Sequence, residues 1–242
     1  MVGEHKVYAA ILAGGSGTRM GNPETPKQFL MLGDKPILVH TVEKFCIDDS
    51  FDLVLVLCPE PWMQKTRDLL KKYCPEHCGK VAVVAGGASR NDTVRNAIAY
   101  LDGNCSVDAE TVLVTHDAVR PFVSYRIIVD NIRAAIEYGA CDTVIPATDT
   151  IVQSENGQSI SAIPDRSKFY QGQTPQSFNL LELKALMSSL TAEEEAVLTD
   201  ACKIYTLRGK NVALVRGDVS NMKITYPQDL RVASALMGIG ND

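Results

Sequence analysis

Short apolar runs punctuate this chain at near-regular intervals. Tyr8–Leu12, Leu53–Leu57, Val81–Ala85 and Thr111–Thr115 are apolar without polar alternation. That pattern suits strands covered on both faces. Between them the apolar positions switch to helical spacing near 36–45, 60–73, 90–101 and 125–138. Strands alternating with helices predict a doubly wound, mostly parallel sheet with right-handed crossovers. A further strand is expected at Thr143–Pro146.

The texture changes over 149–170, which read DTIVQSENGQSISAIPDRSKFY. Apolar and polar residues roughly alternate on both sides of Asn156-Gly157, a strong hairpin signal. A hairpin standing alone is marginal in water, so this one is expected to pack on something, a partner subunit being a good candidate. The main pattern resumes with a helix near 179–188, a polar, acidic stretch at 191–196, a strand at Val212–Val215 and a helix near 227–237. No repeat or linker interrupts the 242 residues, and a single domain over 1–242 with an arm at about 149–170 is expected.

Composition narrows the function. The chain is 45% hydrophobic and 22% charged, with a net charge of −5. That balance lacks the basic footprint of a nucleic-acid binder. No run approaches the ~20 apolar residues of a membrane helix, and no secretory leader is visible at the start. A cytoplasmic protein is expected. Its seven cysteines then read as reduced, buried, small hydrophobes. Cys74, His77 and Cys78 have no second Cys/His pair nearby, which argues against zinc.

The candidate chemistry begins directly after the first strand, in Leu12–Lys27, LAGGSGTRMGNPETPK. A glycine-rich loop after a strand exposes backbone N–H groups to phosphate oxygens. Gly14, Gly15 and Gly17 remove the side chains that would block the approach, and Arg19 and Lys27 add two cations. Glycines alone fit a tight turn equally well; the added Arg and Pro-Lys favour a triphosphate. The spacing is neither G-x-G-x-x-G nor a Walker A loop.

Four more clusters follow other elements. Gly86-Gly87-Ala88-Ser89-Arg90, with Asn91 and Thr93, reads as ordinary helix-start grammar, and can also present backbone to a base or ribose. In His116-Asp117-Ala118-Val119-Arg120, Asp117 is a candidate Mg2+ ligand, because Mg2+ favours one or two carboxylates plus substrate phosphates. The alternative there is a helix cap with an ion pair, in which Arg120 joins. Thr199-Asp200-Ala201 is the fourth cluster. In the fifth, Asn221–Thr225, Lys223 sits between apolar residues after a core strand and is a further candidate phosphate ligand.

Taken in order, LAGGSGTRMG, HDAVRPF, DTIV, YQGQTPQSF, LTDA and NMKIT resemble the cytidylyltransferases that make CDP-activated polyol phosphates. The resemblance spans nearly the whole chain. It implies a Rossmann-like nucleotidyltransferase fold with a protruding β-hairpin dimerisation arm, and a homodimer. It implies transfer of CMP from CTP to a polyol phosphate with Mg2+ and release of pyrophosphate. Ala13, Gly14, Gly15 and Gly17 would then wrap the CTP phosphates. Arg19, Lys27 and Lys223 would carry catalysis. Gly86, Arg90 and Thr93 would recognise cytosine and ribose, and Arg120 would help bind the nucleotide. Asp117 would hold the metal, and Thr150 and Arg166 would reach the polyol phosphate in the partner's site.

Two branches of that family differ in the acceptor: ribitol 5-phosphate or 2-C-methyl-D-erythritol 4-phosphate. Tyr170-Gln171-Gly172-Gln173-Thr174-Pro175-Gln176 looks more like the ribitol branch. A Trp near Tyr170 and a bulkier residue at Gly172 would be expected of the other. A nicotinamide oxidoreductase would need G-x-G-x-x-G and an acidic end to its second strand, where this chain has Cys58-Pro59. A non-catalytic nucleotide-binding module would lack one of Arg19, Lys27, Asp117 or Lys223, and none is missing.

Overall fold

A computed structural model describes residues 5–15, 20, 25–198 and 200–238. Gly17, Arg19 and Thr199 lie outside the described residues.

The core is a seven-stranded sheet. In chain order its strands are β1 (Val7–Leu12), β4 (Leu53–Cys58), β5 (Val81–Ala85), β6 (Val112–Asp117), β7 (Ala140–Pro146), β8 (Tyr170–Asn179) and β9 (Ala213–Arg216). A small antiparallel pair, β2 (Met31–Leu32) and β3 (Lys35–Pro36), stands apart. The spatial order is β5-β4-β1-β6-β8-β7-β9. β1 pairs in parallel with both β4 and β6, so the chain winds outward in one direction from β1 and then in the other. In such a sheet, ligands collect at the carboxyl ends where the winding reverses.

The apolar runs became strands because helices cover both faces. Val7, Ala9 and Ile11 of β1 pack in one cluster with α1 (Ile37–Cys46) and α4 (Tyr125–Tyr138). Tyr8 and Ala10 pack in another with α3 (Arg90–Asn104), α5 (Leu180–Ser188) and α7 (Ala201–Leu207). The remaining helices are α2 (Met63–Tyr73), α6 (Ala192–Val197) and α8 (Pro227–Leu236). Among the described residues no helix is long and apolar enough to cross a membrane.

Several elements differ from the sequence reading: neither the β2–β3 pair nor α7 was expected. β8 is an unanticipated ten-residue strand that runs antiparallel to both β6 and β7. The acidic stretch at 191–196 is largely the short helix α6, started by a Thr191–Glu194 capping box. The arm is also less regular than a hairpin. One antiparallel bridge, Gln153 with Ala162, joins its two sides. Asn156 is the reason. Its Oδ1 accepts the N–H groups of Gln158 and Ser159, an Asx-type turn that widens the loop in place of a two-residue reversal. Val152, Ile160, Ile163, Phe169 and Tyr170 are all exposed on and beside this arm.

Candidate active site

The carboxyl ends of β1 and β6 are in register at Leu12 and Asp117. The glycine loop therefore leaves the sheet beside the Asp117 carboxylate. Ala13 N donates to Leu57 O at 2.7 Å, and Ala118 N donates to Leu12 O at 3.1 Å. Gln28, buried beneath the loop, donates from Nε2 to Ala13 O at 2.7 Å. These bonds fix the described start of the loop from three sides.

A cavity of about 290 Å³ opens there. Ala13, Gly14 and Gly15 line one wall, and Gly87, Ala88, Ser89, Arg90 and Thr93 line another. The second wall is the start of α3, so its free N–H groups and positive dipole end border the cavity. Ser89 caps that helix in a reciprocal box with Asp92. Gly87 is required by this turn, since a Cβ there would collide with Asp92. Gly86 N donates to Cys58 O at 2.8 Å, holding the turn to the end of β4.

Asp117 lies at the floor. Arg90 Nη1 donates to its Oδ1 at 2.6 Å. Arg120 Nε reaches Oδ2 at 3.3 Å, and Lys223 Nζ reaches the same oxygen at 3.0 Å. Three cations from three separate segments thus converge on one buried carboxylate. Burial alone would raise its pKa. Arg90, Lys223 and Arg120 outweigh burial and hold the carboxyl well below the usual range.

The loop that carries Lys223 is strapped down. Arg120 Nη1 donates to Asn221 O at 2.8 Å, and Asn221 Nδ2 donates to Thr174 O at 2.8 Å. Lys27 is buried in a short 3-10 helix, and its Nζ donates to Ile224 O at 2.9 Å. Lys27 and Lys223 both line the cavity. His116, beside Asp117, is fully buried. Its Nε2 faces Arg120 O at 3.1 Å and its Nδ1 faces Thr174 Oγ1 at 3.0 Å. Burial pushes its pKa down to about 4. A sealed, neutral imidazole of this kind locks the turn that presents Asp117.

A second cavity, of about 180 Å³, shares Arg90, Asp117 and Lys223 with the first. Arg120, Gly172, Gln173, Thr174 and Asp200 complete its lining. Because β8 runs antiparallel, its first residues arrive at the same sheet edge as Asp117, and Asp117 N donates to Thr174 Oγ1 at 3.1 Å. Behind this cavity Gln176 Nε2 donates to Asp142 Oδ1 at 3.0 Å and to Asp200 Oδ2 at 2.7 Å. Its Oε1 accepts from Arg90 Nη2 at 3.4 Å. Burial, together with nearby Asp200, pushes the Asp142 carboxyl up to about 6.

Of the residues singled out in the sequence, Ala13, Gly14, Gly15, Lys27, Arg90, Thr93, Asp117, Arg120 and Lys223 come together around the two cavities. Gly86 backs the first of them. Thr150 and Arg166 do not line either cavity. Both are exposed, and Arg166 Nη1 donates to Thr148 O at 2.6 Å within the arm. Gln28, Gln176 and Asp142 were not singled out as site residues. Their roles depend on contacts across β1, β7 and β8 that no local motif announces.

A profile of the 2-C-methyl-D-erythritol 4-phosphate cytidylyltransferase family matches residues 7–239. The ribitol-5-phosphate cytidylyltransferase of Lactiplantibacillus plantarum is 54% identical over 231 residues, covering 96% of this chain and 98% of that one. The crystal structure of 2-C-methyl-D-erythritol 4-phosphate cytidylyltransferase from Francisella tularensis superposes with a TM-score of 0.78. It is 27% identical over 95% of this chain and 99% of its own. That of the Thermus thermophilus enzyme gives 0.71, at 28% identity over 96% and 98%.

Proposed function

The chain belongs to the 2-C-methyl-D-erythritol 4-phosphate cytidylyltransferase family and is a nucleotidyltransferase; on that premise we propose that it transfers CMP from CTP to D-ribitol 5-phosphate, giving CDP-ribitol and pyrophosphate. The observation that carries the reading is Asp117, ringed by Arg90, Arg120 and Lys223 at the junction of two cavities. One cavity has the glycine loop and a helix N-terminus, suited to a triphosphate. The other has hydroxyl-binding groups, suited to a polyol. The ribitol acceptor is supported by the 54% identical relative. The 2-C-methyl-D-erythritol branch is the second reading, supported by the family profile.

An oxygen of the acceptor phosphate attacks the α-phosphorus of CTP in line. The bond to the β-phosphate breaks, and pyrophosphate leaves. The nucleophile is already an anion, so no general base is required. Catalysis rests on positioning and on charge placed where it develops. Lys27 and Arg19 would stabilise the α- and β-phosphates, and Lys223 would contact the α-phosphate. Gly86, Arg90 and Thr93 would hold base and ribose, with Arg120 supporting the nucleotide side.

Among the described residues no group of three or more His, Cys, Asp or Glu forms a metal cage. The donor set fits Mg2+ arriving with the triphosphate, since one ionised carboxylate at the phosphate site is what that ion needs from protein. Asp117 would hold it. When bound, Mg2+ neutralises charge on the phosphates. Arg90, now paired with Asp117, would be released to the nucleotide.

The arm would serve a homodimer. Its exposed apolar residues, Ile160, Ile163 and Phe169 among them, support burial by a second copy, with Thr150 and Arg166 reaching the acceptor phosphate there. Product analysis by 31P NMR after incubation with CTP, Mg2+ and ribitol 5-phosphate tests the whole reading. CDP-ribitol is expected. Unchanged CTP would overturn it, and CDP-methylerythritol formed only with the alternative acceptor would establish the second reading.

A further inference from the structure

Gly172 lines the smaller cavity, and a Cβ added to it would stand 3.6 Å from Asp142 Oδ2. Apart from the chain neighbours of Gly172, no other described atom lies within 4 Å of that point, so the missing side chain leaves a notch between the Gly172 backbone, which lines the cavity, and the Asp142 carboxylate behind the lining. The other oxygen, Oδ1, is held by Gln176 Nε2, whose second hydrogen goes to Asp200. Asp200 in turn caps α7 through Oδ1, which accepts from Cys202 N at 2.7 Å. Two carboxylates are therefore fixed in direction, Asp200 in the cavity lining and Asp142 behind Gly172. Each carboxylate oxygen has about two acceptor positions, and these bonds leave acceptor capacity on both groups.

Acceptor-only groups of this kind need donors from whatever fills the cavity. Burying a carboxylate against a methyl or methylene costs stability unless a hydrogen bond replaces its water. A polyol chain supplies a hydroxyl on each carbon. A carbon branch without a hydroxyl would set apolar surface against the pair. A site with such buried polar groups rejects an analogue that lacks the matching hydroxyl far more strongly than an apolar pocket rejects an extra methyl.

We propose that Asp142, reached through the notch at Gly172 and oriented by Gln176, accepts a hydrogen bond from a hydroxyl of the acceptor and, with Asp200, selects an unbranched polyhydroxyl chain. This rests on the reading of the smaller cavity as the acceptor site. Asp142 is a specificity-determining residue and takes no part in the phosphoryl chemistry.

The test is steady-state kinetics of Asp142→Asn and Gly172→Ala with ribitol 5-phosphate and with its deoxy analogues. Asn keeps an oxygen for Gln176 but loses the charge. Ala covers Oδ2 at an ordinary contact distance. Both should raise the KM for ribitol 5-phosphate about 10- to 100-fold, the scale of one lost charged hydrogen bond, and leave the KM for CTP within about 2-fold. For one deoxy analogue the wild type should already show the penalty, and Asp142→Asn should add nothing to it. Additive penalties for every analogue, or an unchanged acceptor KM in either folded variant, would overturn the proposal. If the wild type prefers another polyol phosphate, the ribitol reading falls, and the same comparison made with that acceptor decides the role of Asp142. Should Asp142→Asn fail to fold, Gly172→Ala decides alone.

Discussion

Replacing Asp117 by Asn removes one negative charge from the middle of three positive ones. The variant is nearly isosteric, so packing is kept and the effect is electrostatic. Arg120 is the most affected, because its side chain is only 10% exposed and its remaining bond is to Asn221 O. Removing one partner of a buried ion pair costs about 3–5 kcal/mol. Arg90 and Lys223 are 26% and 40% exposed, so water takes up part of the freed charge, and the low end, about 3 kcal/mol, is expected. For a chain of this size that corresponds to a Tm lowered by about 6–12 °C. Differential scanning calorimetry without ligands measures it. A triphosphate supplies the missing negative charge, so saturating CTP should narrow the gap between variant and wild type. Turnover should still fall about 10²–10³-fold, as for other lost charge-positioning groups. A ligand-free Tm within about 2 °C of wild type would refute the idea that Asp117 neutralises this cluster.

Lys27→Ala should lower kcat about 10²–10³-fold with the circular dichroism spectrum retained; a rate within a few-fold of wild type would remove Lys27 from the mechanism. EDTA should abolish pyrophosphate release and Mg2+ should restore it, whereas undiminished turnover in EDTA would refute metal binding at Asp117. His116 and Asp142 should act oppositely on acid stability. His116 is held at about 4, below its unfolded value of about 6.5, so its contribution is full above pH ~6.5 and is lost as the pH falls towards 4. Asp142 is held at about 6, above its unfolded value near ~3.9, so its contribution is full below pH ~4 and is lost as the pH rises through 6. Urea melts of Asp142→Asn should therefore lose about 2 kcal/mol more than wild type between pH 6.5 and 4, and parallel profiles would show that burial does not perturb Asp142. Finally, if the arm completes the neighbour's site, inactive Arg19→Ala and Arg166→Ala chains should recover up to about a quarter of wild-type activity after subunit exchange; none recovered, with exchange demonstrated, would confine the arm to its own chain or to holding the dimer.

The parallel half of the sheet was legible because its strands are continuous apolar runs. Leu53–Leu57 needs nothing beyond burial on both faces to become β4. β8 was not legible in this way. Its ten residues, YQGQTPQSFN, are mostly polar and include Gly172 and Pro175. Their place in the sheet comes from β6 and β7 on either side, and their polar groups are satisfied by Arg90, Asp142 and His116, all remote in sequence. The site divides along the same line. The glycine loop and His116–Arg120 are local motifs, and their residues meet because β1 and β6 end in register. Asp142 gave no signal, because in the sequence it is a lone acid just ahead of the expected strand, although β7 begins at Ala140. It gains meaning only when Gln176 is laid opposite it across the β7–β8 ladder. The arm shows the converse. Asn156-Gly157 announces a reversal, yet the Asn156 side chain closes a wider turn than the dipeptide suggests.

The most direct test is a competition for one site. Pyrophosphate release is followed at saturating CTP and Mg2+, with ribitol 5-phosphate and 2-C-methyl-D-erythritol 4-phosphate compared by kcat/KM. Cytidylyl transfer to the unbranched pentitol predicts a ratio of at least about 10² in favour of ribitol 5-phosphate, the discrimination available to a site that pairs buried polar groups with substrate hydroxyls. A ratio near one, or one that favours the branched tetritol, would contradict the ribitol assignment. No pyrophosphate from either acceptor would contradict the account of the site itself.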